Sequence, residues 1–232
     1  MEPTAIATAR DRYAELYALR AAVQVVPYVG GALDTLLAGG AAKIQMERVT
    51  DFLEQLADRL ADVEGVAASL EDDAFADLVL ATLDSVARSR SSNKRARFAA
   101  ILSRQVVESH SWDEAERAAR LLADLEDVHL QVLGAVLAAP VAPGGGFEGI
   151  RVASIPKVRQ SVPGFMEPYS LTKALPALDT PTLRMVCAEL VGKGLLHDEG
   201  IGRLDVVAMT QFVATDLAVW FSEWLGRLNE GA

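Results

Sequence analysis

The chain has 232 residues, of which 51% are apolar, and it carries a net charge of -10. This composition predicts a globular protein with one good core or two small ones, and it disfavours broad contacts with nucleic acid or anionic membranes. A single cysteine excludes an intramolecular disulfide, and the first residues lack the pattern of a signal peptide, so the cytoplasm is the expected compartment.

The first 44 residues predict helical structure of two kinds. Residues 4–26 have the apolar spacing of an amphipathic helix, which Pro27 ends or kinks. Residues 21–44 are apolar enough to suggest a membrane span, but they include Asp34, whose carboxylate would cost about 2.5–3.5 kcal/mol at the bilayer centre. A buried helix with close glycine contacts explains the segment better. A membrane-acting helical effector that exposes residues 21–44 is kept as an alternative.

A long helix with a heptad pattern follows. Its apolar residues are spaced by three and four positions in turn, which is typical of the seam of a coiled coil. The seam residues are Met46, Val49, Leu53, Leu56, Leu60 and Val63. Because such a seam needs a partner helix, we predict that the chain self-associates through it as a homo-oligomer.

Three further segments before Pro140 have helical periodicity. They span residues 70–87, 94–109 and 112–138. Together with the two preceding helices they predict an N-terminal bundle of about five helices over residues 1–139. No internal repeat is present in the chain.

Residues 140–169 contain five prolines and five glycines, which predicts a linker or an irregular packed loop and the domain boundary. Gly144, Gly146 and Gly149 match the G-x-G-x-x-G pattern of dinucleotide-binding folds. That pattern works only between a strand and a helix, and the neighbouring residues predict neither. We therefore expect no cofactor at these glycines.

Residues 170–232 have the element order of a winged helix. Asp179 is placed to cap a helix that begins at Thr180-Pro181 and runs to about Lys193. The following residues predict a strand at 195–197, a turn at 198–202 and a returning strand at 203–209. A closing helix is predicted to carry Phe212, Leu217, Trp220, Phe221, Trp224 and Leu225.

Residue types that carry catalysis or bind metals are scarce. With three histidines and one cysteine, a closed zinc site would need carboxylates that the spacing does not identify, so we predict no metal site. His129 falls on an apolar helical stripe, which favours a hydrogen-bonded structural histidine. Cys187 lies on the apolar face of its helix and is expected to be a small buried hydrophobic residue.

Arg104 and His110 lie six positions apart on a predicted helix and resemble the Arg-His motif of the HEPN ribonucleases, an all-helical family. In that resemblance the histidine activates the ribose hydroxyl and the arginine holds the phosphate. Chance produces this spacing easily in an arginine-rich chain, and a histidine near a helix C-terminus suits the helix dipole. A helical ribonuclease is therefore a minority hypothesis, and a non-enzymatic role is favoured.

The acidic chain contains one basic segment, with no acidic residue between Asp84 and Glu108. Five of its cations form what we call the basic island: Arg88, Arg90, Lys94, Arg95 and Arg97. Lys94 and Arg95 would begin a helix against its dipole, so either one helix continues unbroken through residues 91–93 or the charge serves a partner. We expect the island to face acidic residues of its own bundle, where exposed ion pairs contribute little. An anionic partner is the alternative.

In outline the whole chain resembles uncharacterised bacterial helical proteins, in its bundle with a Val-Pro-Tyr-Val-Gly-Gly segment and in its heptad helix. The fold class is mostly α: an N-terminal helical bundle with a long heptad helix, followed by a winged-helix-like α+β module. This resemblance brings no catalytic motif.

The function that we predict follows from the charge of the winged module. DNA-binding winged helices present basic residues to the major groove, whereas the predicted helix 181–193 offers Arg184 and Lys193 against Glu189. We therefore predict a non-enzymatic interaction or adaptor protein, with the winged module used for protein contact and no nucleic-acid or membrane partner. A DNA-binding transcriptional regulator is the first alternative.

Overall fold

The computed structural model describes residues 42–60, 73–108, 111–141, 149–155, 169–201 and 206–226. The predicted helix 4–26 and almost all of the apolar segment 21–44 lie outside these residues. The chain divides into two compact units, Met1–Asp124 and Leu125–Ala232, which are described separately. Among the described helices, none combines the length and the apolar composition needed to cross a bilayer.

The described part of the N-terminal unit is helical. Its helices are α1 (Ala42–Leu60), α2 (Asp73–Arg88), α3 (Ser92–Glu108) and α4 (Trp112–Asp124). Helix α3 packs against the other three, and α1 also packs against α2. Large side chains with almost no exposed surface fill the space between the helices: Phe52, Phe75, Leu83, Phe98, Ile101, Leu102 and Leu122. Phe75 meets Trp112 edge to face with ring centres 6.3 Å apart.

The segment predicted as one helix over 112–138 is two helices. Helix α4 ends at Asp124, and α5 spans Asp127–Leu137. Glu126 lies between them with φ -90° and ψ 166°, an extended conformation that ends one helix and caps the next. Helix α5 belongs to the C-terminal unit, which begins at Leu125. The predicted domain ranges place it in the bundle instead, and those ranges stay a prediction.

The described C-terminal unit combines helices with one small sheet. After α5 come β1 (Ala153–Ser154), β2 (Tyr169–Ser170), α6 (Leu171–Ala174), α7 (Thr180–Gly192), β3 (Leu196–Asp198), β4 (Gln211–Ala214) and α8 (Asp216–Trp224). The strand order is β2-β1-β4-β3, with β1 parallel to β2 and antiparallel to β4, and β3 antiparallel to β4. The predicted class of a mostly helical chain with a small β component is confirmed at this level.

Helix α7 begins and ends where its local signals predict. The Asp179 carboxylate accepts a hydrogen bond from the backbone N–H of Thr182 at 2.8 Å, and Pro181 lies in the first turn. The pKa of Asp179 is lowered by hydrogen bonds from Thr182, first from its side chain and then from its backbone. Gly194 follows the helix with φ +73°, the left-handed conformation that glycine accepts without strain.

The returning strand lies further along the chain than predicted. It spans Gln211–Ala214, while residues 206–209 of the predicted range 203–209 are not strand. Phe212 is therefore a buried residue of β4 and not part of the closing helix. Helix α8 starts after Thr215, whose hydroxyl accepts from the backbone N–H of Ala218 at 3.2 Å.

Candidate functional site

The apolar seam of α1 is covered within a single chain. Val49, Leu53 and Leu56 are buried, and Leu60 has 9% of its surface exposed. Met46 is half-buried, and Val63 lies outside the described residues. Because α1 packs on α2 and α3, its seam already has partner helices in the same unit. Self-association through these residues stays a prediction.

The basic island lies at a break between two helices. Helix α2 ends at Arg88 and α3 begins at Ser92, so no single helix runs through residues 91–93. The Ser91 hydroxyl accepts a hydrogen bond from the backbone N–H of Lys94 at 3.1 Å and thereby caps α3. Arg95, in the first turn of α3, therefore lies beside the carbonyl groups at the end of α2, where positive charge is favourable.

Two arginines bind four consecutive carbonyl groups at this break, and we call the arrangement the carbonyl clamp. Arg48 on α1 donates from Nη1 to Ala87 O at 2.9 Å and to Arg88 O at 3.3 Å. Arg95 on α3 donates from Nη1 to the next two carbonyls, Ser89 O at 3.1 Å and Arg90 O at 3.3 Å. The clamp satisfies carbonyls that have no partner inside α2.

Arg95 is also held by a carboxylate of the neighbouring helix. Its Nε donates to Asp51 Oδ2 at 2.6 Å, and only 10% of its side chain is exposed. A second oxygen of Asp51 accepts from the Gln55 amide at 2.9 Å. The expected contact between the island and an acidic residue of its own bundle is thus present at Arg95. The sequence predicts an exposed ion pair, whereas the Arg95 side chain is buried.

The remaining island residues differ in their surroundings. Lys94 donates from Nζ to Ala123 O at 2.8 Å, near the C-terminus of α4, and Arg88 pairs with Asp84 one turn earlier at 2.7 Å. Arg90 is exposed and Arg97 is half-buried. At least three of the five cations therefore bind groups of the chain itself, and a role for the island in binding a partner stays a prediction.

The C-terminal unit contains a histidine with both ring nitrogens engaged. His129 is buried, its Nδ1 accepts from the backbone N–H of Glu126 at 3.1 Å, and its Nε2 contacts Oε2 of Glu189 on α7. Because Nδ1 acts as an acceptor, the proton of the neutral ring lies on Nε2 and is donated to the carboxylate. The structural role predicted for His129 agrees with these contacts, while the role of Glu189 was not predicted.

The exposed face of α7 carries few charged residues. Its buried face holds Leu183, Val186, Cys187 and Leu190. Its exposed residues are Pro181, Arg184, Met185, Ala188, Glu189 and Gly192, and Met185 is 56% exposed. A solvated helix face normally carries mostly charged and polar residues, whereas this face has one cation and one carboxylate around small and apolar residues. This face is our candidate functional site.

A buried carboxylate organises the connection between β3 and β4. Asp198 is 1% exposed and accepts from Gly200 N at 3.0 Å and from Met209 N at 2.8 Å. Met209 has φ +61°, a strained conformation for a residue with a side chain. A Cβ added at Gly200 would lie 2.5 Å from the backbone of Ala208, so only glycine fits there. The short Asp-x-Gly motif was the available sequence signal for this turn.

Cys187 lies close to this carboxylate and is chemically protected. Burial raises the pKa of its thiol from 9.0 to about 12, with a further contribution from the negative charge of Asp198. At neutral pH the thiol is therefore protonated and a poor nucleophile. The prediction of a small buried residue is confirmed by its zero exposure.

The proposed ribonuclease pair is only partly within the described residues. Arg104 donates from Nε to Glu108 Oε2 at 2.9 Å, and His110 lies outside the described part of the chain. Within the described residues, no three side chains of His, Cys, Asp or Glu are grouped in a way that could hold a metal ion.

Comparison of the chain with protein-family models, curated proteins and solved structures gives no significant match.

Proposed function

We propose that the protein is a non-enzymatic interaction protein whose C-terminal unit is a winged-helix-like module that contacts protein through the exposed face of α7. The observation that carries this proposal is the composition of that face. Apolar and small side chains near the centre of a solvent-exposed helix face are typical of protein interfaces, whose cores are depleted in charge.

The same face argues against recognition of DNA. In a winged helix that reads DNA, this helix would enter the major groove with several basic side chains. Here Arg184 is the one cation of the exposed face within α7, and Glu189 would point a carboxylate at the phosphates. Residues 170–232 carry five basic and eight acidic side chains, a net charge of -3, which adds general repulsion.

Glu189 also has a property that suits a protein contact. His129 holds one of its carboxylate oxygens, while 48% of the side chain remains exposed to solvent. A carboxylate whose rotamer is already fixed loses less conformational entropy when it binds a cationic partner group. The face therefore offers an apolar centre beside one oriented negative charge.

The proposal is tested by replacing Met185 with a photo-crosslinking amino acid in the full chain and irradiating it in extract of the native host. We expect defined protein adducts at this position. The matched control carries the same probe at Val219, an exposed apolar residue of α8. Equal labelling at both positions would contradict a role for α7.

A second measurement separates protein contact from DNA binding. We expect a random duplex library to show no sequence-specific retention on the protein at physiological salt. Enrichment of a defined site, abolished by Arg184→Ala, would instead establish the transcriptional regulator. Enrichment that is unchanged in Arg184→Ala would locate DNA binding outside α7.

A further inference from the structure

The exposed face of α7 has opposite charges on its two flanks. Arg184 and Glu189 are five positions apart, which places them about 140° from each other around a helix with 3.6 residues per turn. Met185 and Ala188 lie between them on the same face, and both are exposed. The face is therefore a small apolar patch with a cation at one side and a carboxylate at the other.

A patch of this kind is complementary to itself. A two-fold axis can pass through the apolar centre, in the plane of the contact and perpendicular to the line that joins the two charges. Rotation about this axis places the cation of one copy opposite the carboxylate of the other. Each Arg184 then meets the Glu189 of a second copy, and the two apolar centres meet at the axis. Such an isologous contact, with the same surface used twice, is the commonest arrangement in protein dimers.

We propose that the partner of this face is a second copy of the chain, in a dimer held by two reciprocal Arg184–Glu189 pairs around Met185. This inference rests on the proposed use of α7 for protein contact and specifies its partner. The charge complementarity of the face selects this occupant over a nucleic acid, for which one cation and one carboxylate per copy are unsuitable.

The anchoring of Glu189 favours such a contact. Nε2 of His129 engages Oε2, so Oε1 is left to accept from a guanidinium group of the other copy. The bond to His129 fixes the carboxylate before binding, which reduces the entropic cost of forming the pair. Because the contact involves one face of a single 13-residue helix, the dimer is small and its formation depends on protein concentration.

The test uses two opposite charge reversals, Arg184→Glu and Glu189→Arg, with mass measured by light scattering over a series of concentrations. We expect the parent chain to form a dimer and each variant alone to be a monomer, because like charges then face each other twice. An equimolar mixture restores both pairs and should form a heterodimer. Restoration in the mixture also shows that neither variant is misfolded.

The control variant Arg117→Glu reverses an exposed cation on α4 and should leave the dimer intact. The proposal is overturned by a parent that is monomeric at every concentration, by a dimer that survives Arg184→Glu, or by a mixture that stays monomeric. A monomeric parent that still gives protein adducts at position 185 would overturn the dimer and leave the proposed function in place.

Discussion

Arg95 donates from Nε to Asp51 Oδ2 over 2.6 Å and so joins the first turn of α3 to the middle of α1. The same guanidinium group binds two carbonyls after the end of α2. One side chain thereby connects three helices. The unfavourable position of a cation in the first turn of α3 is offset because Arg95 binds Asp51 of α1 and the carbonyls that follow α2.

The first prediction concerns this residue. Arg95→Gln removes a charge-assisted pair and leaves Asp51 and two carbonyls with poorer partners. We expect the free energy of unfolding to fall by about 1–3 kcal/mol, which is the typical cost of leaving a buried polar group without its hydrogen-bond partner. Arg88→Gln removes the exposed pair with Asp84 and should cost about 0.5 kcal/mol or less. Equal losses in urea titrations of the two variants would contradict the buried role of Arg95.

The second prediction concerns the seam of α1. Leu56→Ala should cost about 2–5 kcal/mol, since it leaves a cavity in a packed core. The control Glu54→Ala changes an exposed residue of the same helix and should have little effect. If the seam is covered within one chain, the loss on Leu56→Ala is the same at every protein concentration. A loss that grows with rising protein concentration, because the parent gains more stability from association than the variant does, would support self-association through the seam.

The third prediction concerns His129. His129→Leu removes the acceptor for Glu126 N–H and the donor to Glu189, so we expect a loss of about 1–3 kcal/mol in the C-terminal unit. The fluorescence of Trp220 and Trp224 in a Trp112→Phe background reports this unit alone. His197→Leu alters an exposed histidine and should leave the urea midpoint unchanged. A similar shift in both variants would argue against an anchoring role.

The fourth prediction concerns pH. The pKa of the Cys187 thiol is raised from 9.0 to about 12, so the folded chain holds this proton more tightly than the unfolded chain. The contribution to stability is fully present below pH 9.0 and is lost as the pH rises toward 12. The Cys187→Val variant should therefore show a shallower decline of the urea midpoint over this window. Parallel declines in parent and variant would show that other groups cause the alkaline loss.

The bounds of α7 could be predicted from the sequence because its signals are local. Asp179, Pro181 and Gly194 act within one turn of the helix ends, and each is found in the expected role. The break at Leu125–Glu126 was missed since apolar periodicity continues across it. Nothing in the spacing of Leu122, Leu125 and His129 distinguishes one helix from two, although all three are buried.

The position of β4 shows how a tertiary contact overrides propensity. The apolar residues near Val206 favour a strand, but Asp198 binds the backbone N–H of Met209 and Gly200 packs on Ala208. Because of these contacts, residues 206–209 belong to the connection between β3 and β4. The strand that pairs with β3 is Gln211–Ala214.

The candidate site required the structure for a similar reason. Arg184 and Glu189 are visible in the sequence, but the bond between His129 and Glu189 joins residues 60 positions apart. Arg48 reaches a carbonyl 39 positions away. Spacing patterns report contacts within one helix or strand, and side-chain pairs over such separations leave no periodic signal.

The carbonyl clamp has a consequence for the order in which the N-terminal unit folds. Helices α2 and α3 are adjacent in sequence and can begin to form early, but the carbonyls between them gain Arg48 only when α1 has docked. Contacts across such a separation form late, because the chain entropy of closing the loop opposes them. Replacement of Arg48 is therefore expected to accelerate unfolding of the N-terminal unit while leaving its refolding rate nearly unchanged.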